Sequence, residues 1–343
     1  MLQYVLEEPG RIVEKEFVTP EPTNTEALIR INYVGICGSD IHLYHGTYNG
    51  PHNYPMILGH EWSGVVEKVG TEVTQFEPGD LVTGDCSCFC GTCELCQSDR
   101  NLCAHVQKFG ITIDGATAEY IVRDVRFLYK APEGMDHDLL FLSEPVAVAA
   151  HLLRKIRKAL DGDIRKKRIL VLGGGVIGMS AMMLLRKMYG CDQIDLFDLI
   201  DSRTEIAKTV GATIPSAEAL TAPAGSDYAS LYAAGVYDIV IETTGVASVF
   251  ANALYLVKPG GVLGSVGMIP KVEIAQKLIV TKALTLVGSI GGTGDFSEAM
   301  AFLCENPETA RKLISHFFPM SHASEAFSVA QNPMNTMKVV LKL

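Results

Sequence analysis

Two sets of cysteine, histidine and acidic residues stand out by their spacing. Cys90, Cys93, Cys96 and Cys103 follow one another at intervals of three, three and seven. Four thiolates so spaced can close a tetrahedron around a redox-inert d10 ion, the donor set of a structural zinc. The second set is mixed and dispersed. It comprises Cys37 in Cys37-Gly38-Ser39-Asp40, His60 and Glu61 in Gly59-His60-Glu61, and Glu144 ahead of Pro145. Each is a Lewis base at a point where glycine or proline bends the chain. Thiolate, imidazole and carboxylate together leave one coordination position open for chemistry. Zinc in such a site makes an alcohol acidic near neutral pH and ready to give up a hydride. Taken singly, Cys37 reads as a core thiol, His60 as a structural histidine and Glu61 as a surface charge. Two spaced clusters in one chain count against that joint reading. Cys86 and Cys88 fall near a strand end and read as non-ligands, and Cys191 and Cys304 as ordinary buried thiols.

A hydride needs an acceptor, and the chain offers a place for one. Gly173-x-Gly175-x-x-Gly178 follows the apolar run Ile169-Leu170-Val171-Leu172 and opens a helical pattern that starts at Val176 and Ile177. The first glycine permits the tight turn, the second lets a pyrophosphate approach the backbone, and the third allows close helix–sheet packing. The helix N-terminus then favours the phosphate charge. Asp198 lies 20 residues beyond Gly178, where its carboxylate can accept from ribose hydroxyls and repel a 2′-phosphate. Arg203 is the one nearby base, so NAD is expected in preference to NADP. A ligand-free doubly wound domain with a glycine-rich turn is the competing reading; strand, spacing and acid together speak against it.

These residues must be positioned by two kinds of architecture. Ala27–Val34, Gly64–Val69, Asp80–Thr83 and Ala118–Val122 read as short strands broken by Gly and Pro, with the cysteine cluster in a polar, aperiodic loop. The pattern changes near Asp138. Helical spacing runs to Ile156 with Glu144-Pro145 interrupting it, and strands then alternate with helices through Gly261–Val266. Such alternation implies a parallel sheet covered on both faces. The fold class is therefore α/β, a doubly wound parallel sheet plus an irregular all-β domain. The expected division is 1–150 with a metal lobe at 86–104, then 151–290 for the dinucleotide, then 291–343. The final segment ends in the strand pattern Lys338–Lys342 and is expected to rejoin the first domain.

The 343-residue chain carries a net charge of −10, which disfavours nucleic acid and anionic membranes as partners. Its one dense basic run, Arg165-Lys166-Lys167-Arg168, reads as a solvated boundary before a buried strand. Six of the nine cysteines lie between Cys86 and Cys103, which argues for metal in place of a disulfide framework. No signal peptide or membrane span is read at the sequence level, and a reducing cytoplasm is expected. A zinc-ribbon nucleic-acid binder fails on acidity and on the dinucleotide context.

The residues Gly35-Ile36-Cys37-Gly38-Ser39-Asp40-Ile41-His42, Gly59-His60-Glu61, the four-cysteine lobe, Glu144-Pro145 and the glycine fingerprint also carry a resemblance. Over essentially its full length the chain resembles the zinc-dependent medium-chain alcohol and polyol dehydrogenases. The resemblance implies a GroES-like catalytic domain, a central Rossmann domain and a C-terminal return, with two zinc ions per chain and NAD. It implies that Cys37, His60 and either Glu144 or Glu61 hold the catalytic zinc. Ser39 would hydrogen-bond the substrate oxygen, and His42, with His45 as a lesser alternative, would pass the proton outward. Within the family the chain is most similar to polyol, threonine and aminocyclitol dehydrogenases. Gly59–Gly64, Asp114–Tyr120 and Ser315–Pro319 resemble 2-deoxy-scyllo-inosamine dehydrogenases in particular. Two departures matter. The third cysteine gap is one residue shorter than the commonest family spacing. The Arg-Tyr pair of sorbitol dehydrogenases is replaced by Gly291-Gly292, which implies a different or roomier pocket. The expected activity is oxidation of a secondary alcohol (polyol, cyclitol or amino alcohol) to a ketone by a homodimer or homotetramer. An L-threonine 3-dehydrogenase-type enzyme is the nearest rival. A silent NAD-binding protein is the rival of another class, and intact Cys37, Ser39 and His60 count against it.

Overall fold

The strand Glu26–Ile36 is apolar along most of its length because it is central. In the computed structural model, which describes residues 1–221, 227–233 and 235–343, it pairs antiparallel with Glu61–Val69, Tyr120–Asp124 and Lys338–Lys342. Ala27–Ile29, Ile31 and Val34–Ile36 are buried, while Arg30 is exposed. The sheet it organises has seven strands and includes Leu81–Gly84, Leu128–Lys130 and Ile314–Pro319. A three-stranded sheet is built from Leu2–Glu8, Arg11–Glu16 and Met56–Ile57. Trp62, Ile29, Ile31, Leu58 and Phe327 lie in the core that these sheets enclose.

By backbone contacts the chain divides into two compact units, one of residues 1–147 with 291–343 and one of residues 148–290. The last strand, Lys338–Lys342, is hydrogen-bonded to Glu26–Ile36, so the C-terminal segment is part of the first unit's main sheet. The cysteine loop is more ordered than its aperiodic sequence suggests. It is closed by the short pair Ser87–Cys88 and Gln107–Lys108, and contains the helix Glu94–Ser98 and the 3-10 turn Arg100–Leu102.

In the second unit the strands lie in the order Ile194–Phe197, Ile169–Leu172, Tyr237–Glu242, Val257–Ser265, Thr285–Gly288, all parallel. Every residue of Ile169–Leu172 is buried, as expected of a parallel strand covered on both faces. The connection reverses direction between Ile169–Leu172 and Tyr237–Glu242. The crevice outside their carboxyl ends is where such sheets bind ligands. No helix among the described residues is long and apolar enough to cross a membrane.

One sequence expectation is corrected. Glu144-Pro145 does not interrupt a helix; it begins one. The α-helix runs Ser143–Ala159, preceded by the 3-10 turn Leu140–Leu142. Proline is tolerated in a first turn because its missing N–H would have no intrahelical acceptor there.

Candidate metal centres and dinucleotide site

The four cysteines converge. Cys90, Cys93, Cys96 and Cys103 offer sulfurs that all lie within 4.8 Å of one another. The separations are 3.5 Å for Cys93–Cys96 and Cys90–Cys103, and 3.9 Å for Cys90–Cys96 and Cys93–Cys103. A tetrahedron with zinc–sulfur bonds of about 2.3 Å has an edge of roughly 3.8 Å, so the cage fits zinc. Backbone N–H groups of Cys93, Cys90 and His105 donate to these sulfurs at 3.3–3.4 Å. The amides of Thr92 and Cys93 lower the Cys90 thiol to about 5. Burial, and then the neighbouring Cys93, push Cys96 up to about 12. The cluster therefore favours some thiolates and resists the full set, a balance that a divalent cation resolves.

The mixed set is assembled by strand register. Cys37 follows the strand Glu26–Ile36 and caps the helix Gly38–Tyr44, its own N–H donating to Asp40 Oδ2 at 2.8 Å. Glu61 opens the neighbouring strand opposite Gly35, with His60 just before it. Ligand atoms of Cys37, His60 and Glu61 lie within 4.8 Å of one another. A Cβ at position 35 would come 2.5 Å from Glu61 Oε2 and 3.0 Å from the Phe141 ring, so a side chain there would displace this carboxylate. Glu144 is not part of that set. It is buried nearby, and burial first, then Glu61, push its carboxyl up to about 7 while His60 opposes the rise.

Two charged residues hold the donors in place. Asp40, buried, has Oδ1 3.5 Å from His60 Nδ1. That arrangement leaves Nε2 facing Ser39, whose hydroxyl is 3.4 Å away. Burial works against a proton on His60, but Asp40 and Cys37 outweigh it and raise its pKa well above the usual range. Lys338, also buried, reaches Glu61 Oε2 at 2.6 Å and Oε1 at 2.8 Å, and donates to the Ile36 carbonyl at 3.0 Å. Burial disfavours its charge, yet Glu61 and Cys37 raise its pKa above the ordinary lysine value. Asp40 stands in the Cys37–Asp40 motif, but nothing in its spacing assigns it a role. Lys338 gave no signal at all, being 277 residues from its partner.

Ser39 is half-buried beside His60, whereas His42 is exposed and bonds Thr47 Oγ1 at 3.1 Å. His45 caps the same helix at its C-terminus, also exposed. Cys86 is buried, donates to the Phe109 carbonyl and is driven up to about 12 by burial. Cys191 is a buried thiol, but Cys304 is only half-buried, against the Glu133 carbonyl.

In the second unit Gly173 turns the chain with φ +99, directly after Ile169–Leu172. A Cβ at Gly178 would lie 1.9 Å from the Gly173 carbonyl oxygen, while one at Gly175 would meet nothing within 4 Å. The third glycine is thus required for packing, and the second leaves an open approach to the N-terminus of the helix Val176–Lys187. Gly175, Val176 and Ile177 are half-buried at that end. Asp198 follows Ile194–Phe197 and accepts from Gly174 N–H at 2.6 Å and Ile200 N–H at 2.9 Å, with Arg203 Nη1 at 3.5 Å. Across the crevice Thr243 donates to the carbonyls of Leu172 and Gly173. Buried Glu242 accepts from Thr244 and Gly245 N–H. Neither residue was found from sequence, since an acid ending a strand is not distinctive.

Comparison with known proteins places this geometry in a family. Residues 23–133 match the alcohol dehydrogenase GroES-like domain, and residues 137–343 match the glucose dehydrogenase C-terminus. A sorbitol dehydrogenase of Halalkalibacterium halodurans is 30% identical, the alignment covering 97% of this chain and 96% of that one. A solved putative zinc-binding dehydrogenase of Sinorhizobium meliloti, bound to NADP, is 30% identical, with a TM-score of 0.87 over 100% of this chain and 99% of its own. An alcohol dehydrogenase of Escherichia coli CFT073, complexed with NADH, is 27% identical, with a TM-score of 0.88 and coverage of 100% and 99%. Four-cysteine lobe, mixed donor set, glycine fingerprint and full-length similarity agree: the chain belongs to the zinc-type medium-chain alcohol and polyol dehydrogenase family.

Proposed function

We propose that this protein oxidises a secondary alcohol of a polyol, cyclitol or amino alcohol to a ketone, with NAD as hydride acceptor. The observation that carries the reading is the convergence of Cys37, His60 and Glu61 within 4.8 Å, with a hydroxyl, Ser39 Oγ, 3.4 Å from His60. When bound, zinc on Cys37, His60 and Glu61 supplies the acidity of the alcohol, and NAD along Gly173–Gly178 supplies the hydride acceptor. Everything else falls to the chain. Asp40 orients His60, as a carboxylate behind a metal-ligating imidazole does. Lys338 balances the Glu61 charge. Ser39 orients the substrate oxygen and takes up its proton, and exposed His42 delivers the proton to solvent. Cys90, Cys93, Cys96 and Cys103 hold the second, closed zinc.

Asp198 supports NAD over NADP, because its carboxylate sits at the strand end beside the glycine turn. The relatives described above include one NADP complex and one NADH complex, so that discrimination rests on this chain's own residues. The substrate argument rests on the sequence departure at Gly291-Gly292. With φ +71 and a Cβ position 2.2 Å from Asn101 Oδ1, Gly291 has no room for a side chain, so the arginine of that pair has no counterpart here. A pocket without the polyol-binding Arg-Tyr pair favours a ring-shaped or amino-substituted alcohol. Initial rates with an aminocyclitol, L-threonine and sorbitol, each with NAD and NADP, test both statements. Sorbitol as the best substrate refutes the pocket argument, and no turnover of any alcohol by zinc-replete protein refutes the function.

A further inference from the structure

The chain carries a net charge of −10, yet eight of its 29 Lys and Arg residues fall between Arg154 and Arg168, against Asp161 and Asp163 alone. The helix Ser143–Ala159 ends in this stretch, and Asp163 opens the 3-10 turn Ile164–Lys166. Cations in a last helical turn complement its carbonyl end, which accounts for part of the bias. It does not account for the cavity beside them. That cavity holds about 450 Å³ and is lined by Arg154, Arg157, Lys158, Gly162 and Asp163 with two aliphatic side chains. Its size is that of a small-molecule pocket. All the lining residues belong to the second unit.

The cations are held in place without being neutralised. The Arg157 guanidinium lies 4.5 Å from the centre of the Tyr189 ring, a contact that fixes it and keeps its charge. Arg154 Nη2 is 2.8 Å from His151 Nδ1, one helical turn back. Lys158 is exposed at the helix end. Lys167 folds back, its Nζ 3.8 Å from where a Cβ on Gly162 would stand. Asp163 does not offset these charges, because Arg165 already matches it. Its carboxylate accepts Arg165 Nε at 3.0 and 2.9 Å and Nη2 at 2.6 Å, and it caps the turn through Arg165 N–H at 3.0 Å. Those bonds hold its pKa down to about 2. Arg168 is likewise paired, with Asp195 at 3.1 Å. The basic run is therefore divided: its two arginines meet aspartates, and Lys167 turns to the cavity.

We propose that this cavity binds a small phosphate-bearing anion. Gathered cations repel one another, and a multiply charged anion among them removes that repulsion. A guanidinium fork matches two phosphate oxygens at once, and an ammonium adds a point charge. The site is separate from the glycine turn. Its lining leads into the start of the strand Ile169–Leu172, whereas the glycine turn follows the strand's end. The strand between them spans roughly 13 Å.

The test is a titration of full-length, zinc-replete protein with inorganic phosphate, followed by phosphorus NMR, with NADH saturating so that the glycine turn is filled. Sodium chloride at the same ionic strength is the reference. Saturable binding is expected at one site per chain. Arg157→Gln and Lys158→Gln should each weaken it about tenfold or more, since each removes a charge-assisted hydrogen bond. Lys271→Gln, which removes the same charge outside the cavity, should leave it unchanged. Binding no stronger than that of chloride overturns the proposal. So does equal affinity in Arg157→Gln, Lys158→Gln and the unaltered protein, or an equal loss in Lys271→Gln, which would mark a diffuse ion atmosphere. The variants locate the phosphate whether or not the protein binds NADH, so a failure of the dehydrogenase reading leaves this test intact.

Discussion

Replacing Lys338 by methionine should destabilise the protein lacking zinc at the mixed site far more than the zinc-loaded protein. The Lys338 and Glu61 side chains are 4% and 1% exposed, and the ammonium lies 2.6 Å from Glu61 Oε2. Methionine keeps most of the volume, so the packing term is small. Removing one partner of a buried pair leaves an uncompensated charge and costs about 3–5 kcal/mol. With zinc on Cys37, His60 and Glu61 the carboxylate keeps a cation. The loss then falls towards the single hydrogen bond to the Ile36 carbonyl, about 1 kcal/mol. The difference, about 2–4 kcal/mol, must reappear as tighter zinc binding by the variant, roughly 30- to 1000-fold. The assay is urea unfolding of unaltered protein and Lys338→Met, each at one and at two zinc ions per chain, with zinc affinity from competition against a chelator. Equal destabilisation at both loadings, with unchanged zinc affinity, would show that Lys338 does not serve Glu61 as its counter-charge.

Two further outcomes follow from the second unit. Asp198→Ala should lower kcat/KM for NAD on the order of ten- to hundredfold and raise that for NADP, because the repelling carboxylate is gone while Arg203 remains beside the site; an unchanged NAD-to-NADP ratio would refute the assignment. Lys282 is fully buried, donates to the Leu254 and Tyr255 carbonyls, and is held down to about 8 by burial. Between pH of about 8 and 10.5 the unfolded chain binds more protons at this group than the folded one. Its contribution therefore makes stability rise with pH across that window, by at most about 3 kcal/mol, with the penalty fully present at pH 7. Lys282→Met should remove that rise, and parallel stability–pH curves for the two proteins would contradict it.

The legible parts of this molecule were those written in local spacing. Cys90, Cys93, Cys96 and Cys103 lie within 14 consecutive residues, and loop closure over so short a stretch leaves few ways to arrange four thiolates. The glycine turn was equally plain, because a strand, a positive-φ glycine and a helix N-terminus are consecutive. Less was legible wherever the chain departs from period. Glu144-Pro145 looked like a break because proline ends helices more often than it starts them within an apolar run. The short helix and 3-10 turn inside the cysteine lobe are too short to show periodicity.

The choice between Glu61 and Glu144 shows why register carries what spacing cannot. Both are acids next to a bend, and nothing local separates them. The pairing Gly35↔Glu61 puts the carboxylate across from the one residue without a Cβ, one strand away from Cys37. The pairing Ile36↔Val339 then brings Lys338 to the same end of the same central strand. A single strand, Glu26–Ile36, therefore sets the thiolate, makes room for the carboxylate and delivers its counter-charge, from sequence positions 37, 61 and 338. Glu144 arrives on a helix, outside that register, its carboxyl pushed up to about 7 by burial and by Glu61. Glu61 instead stands opposite a glycine with the Lys338 ammonium 2.6 Å from its Oε2, held by the same strand that positions Cys37.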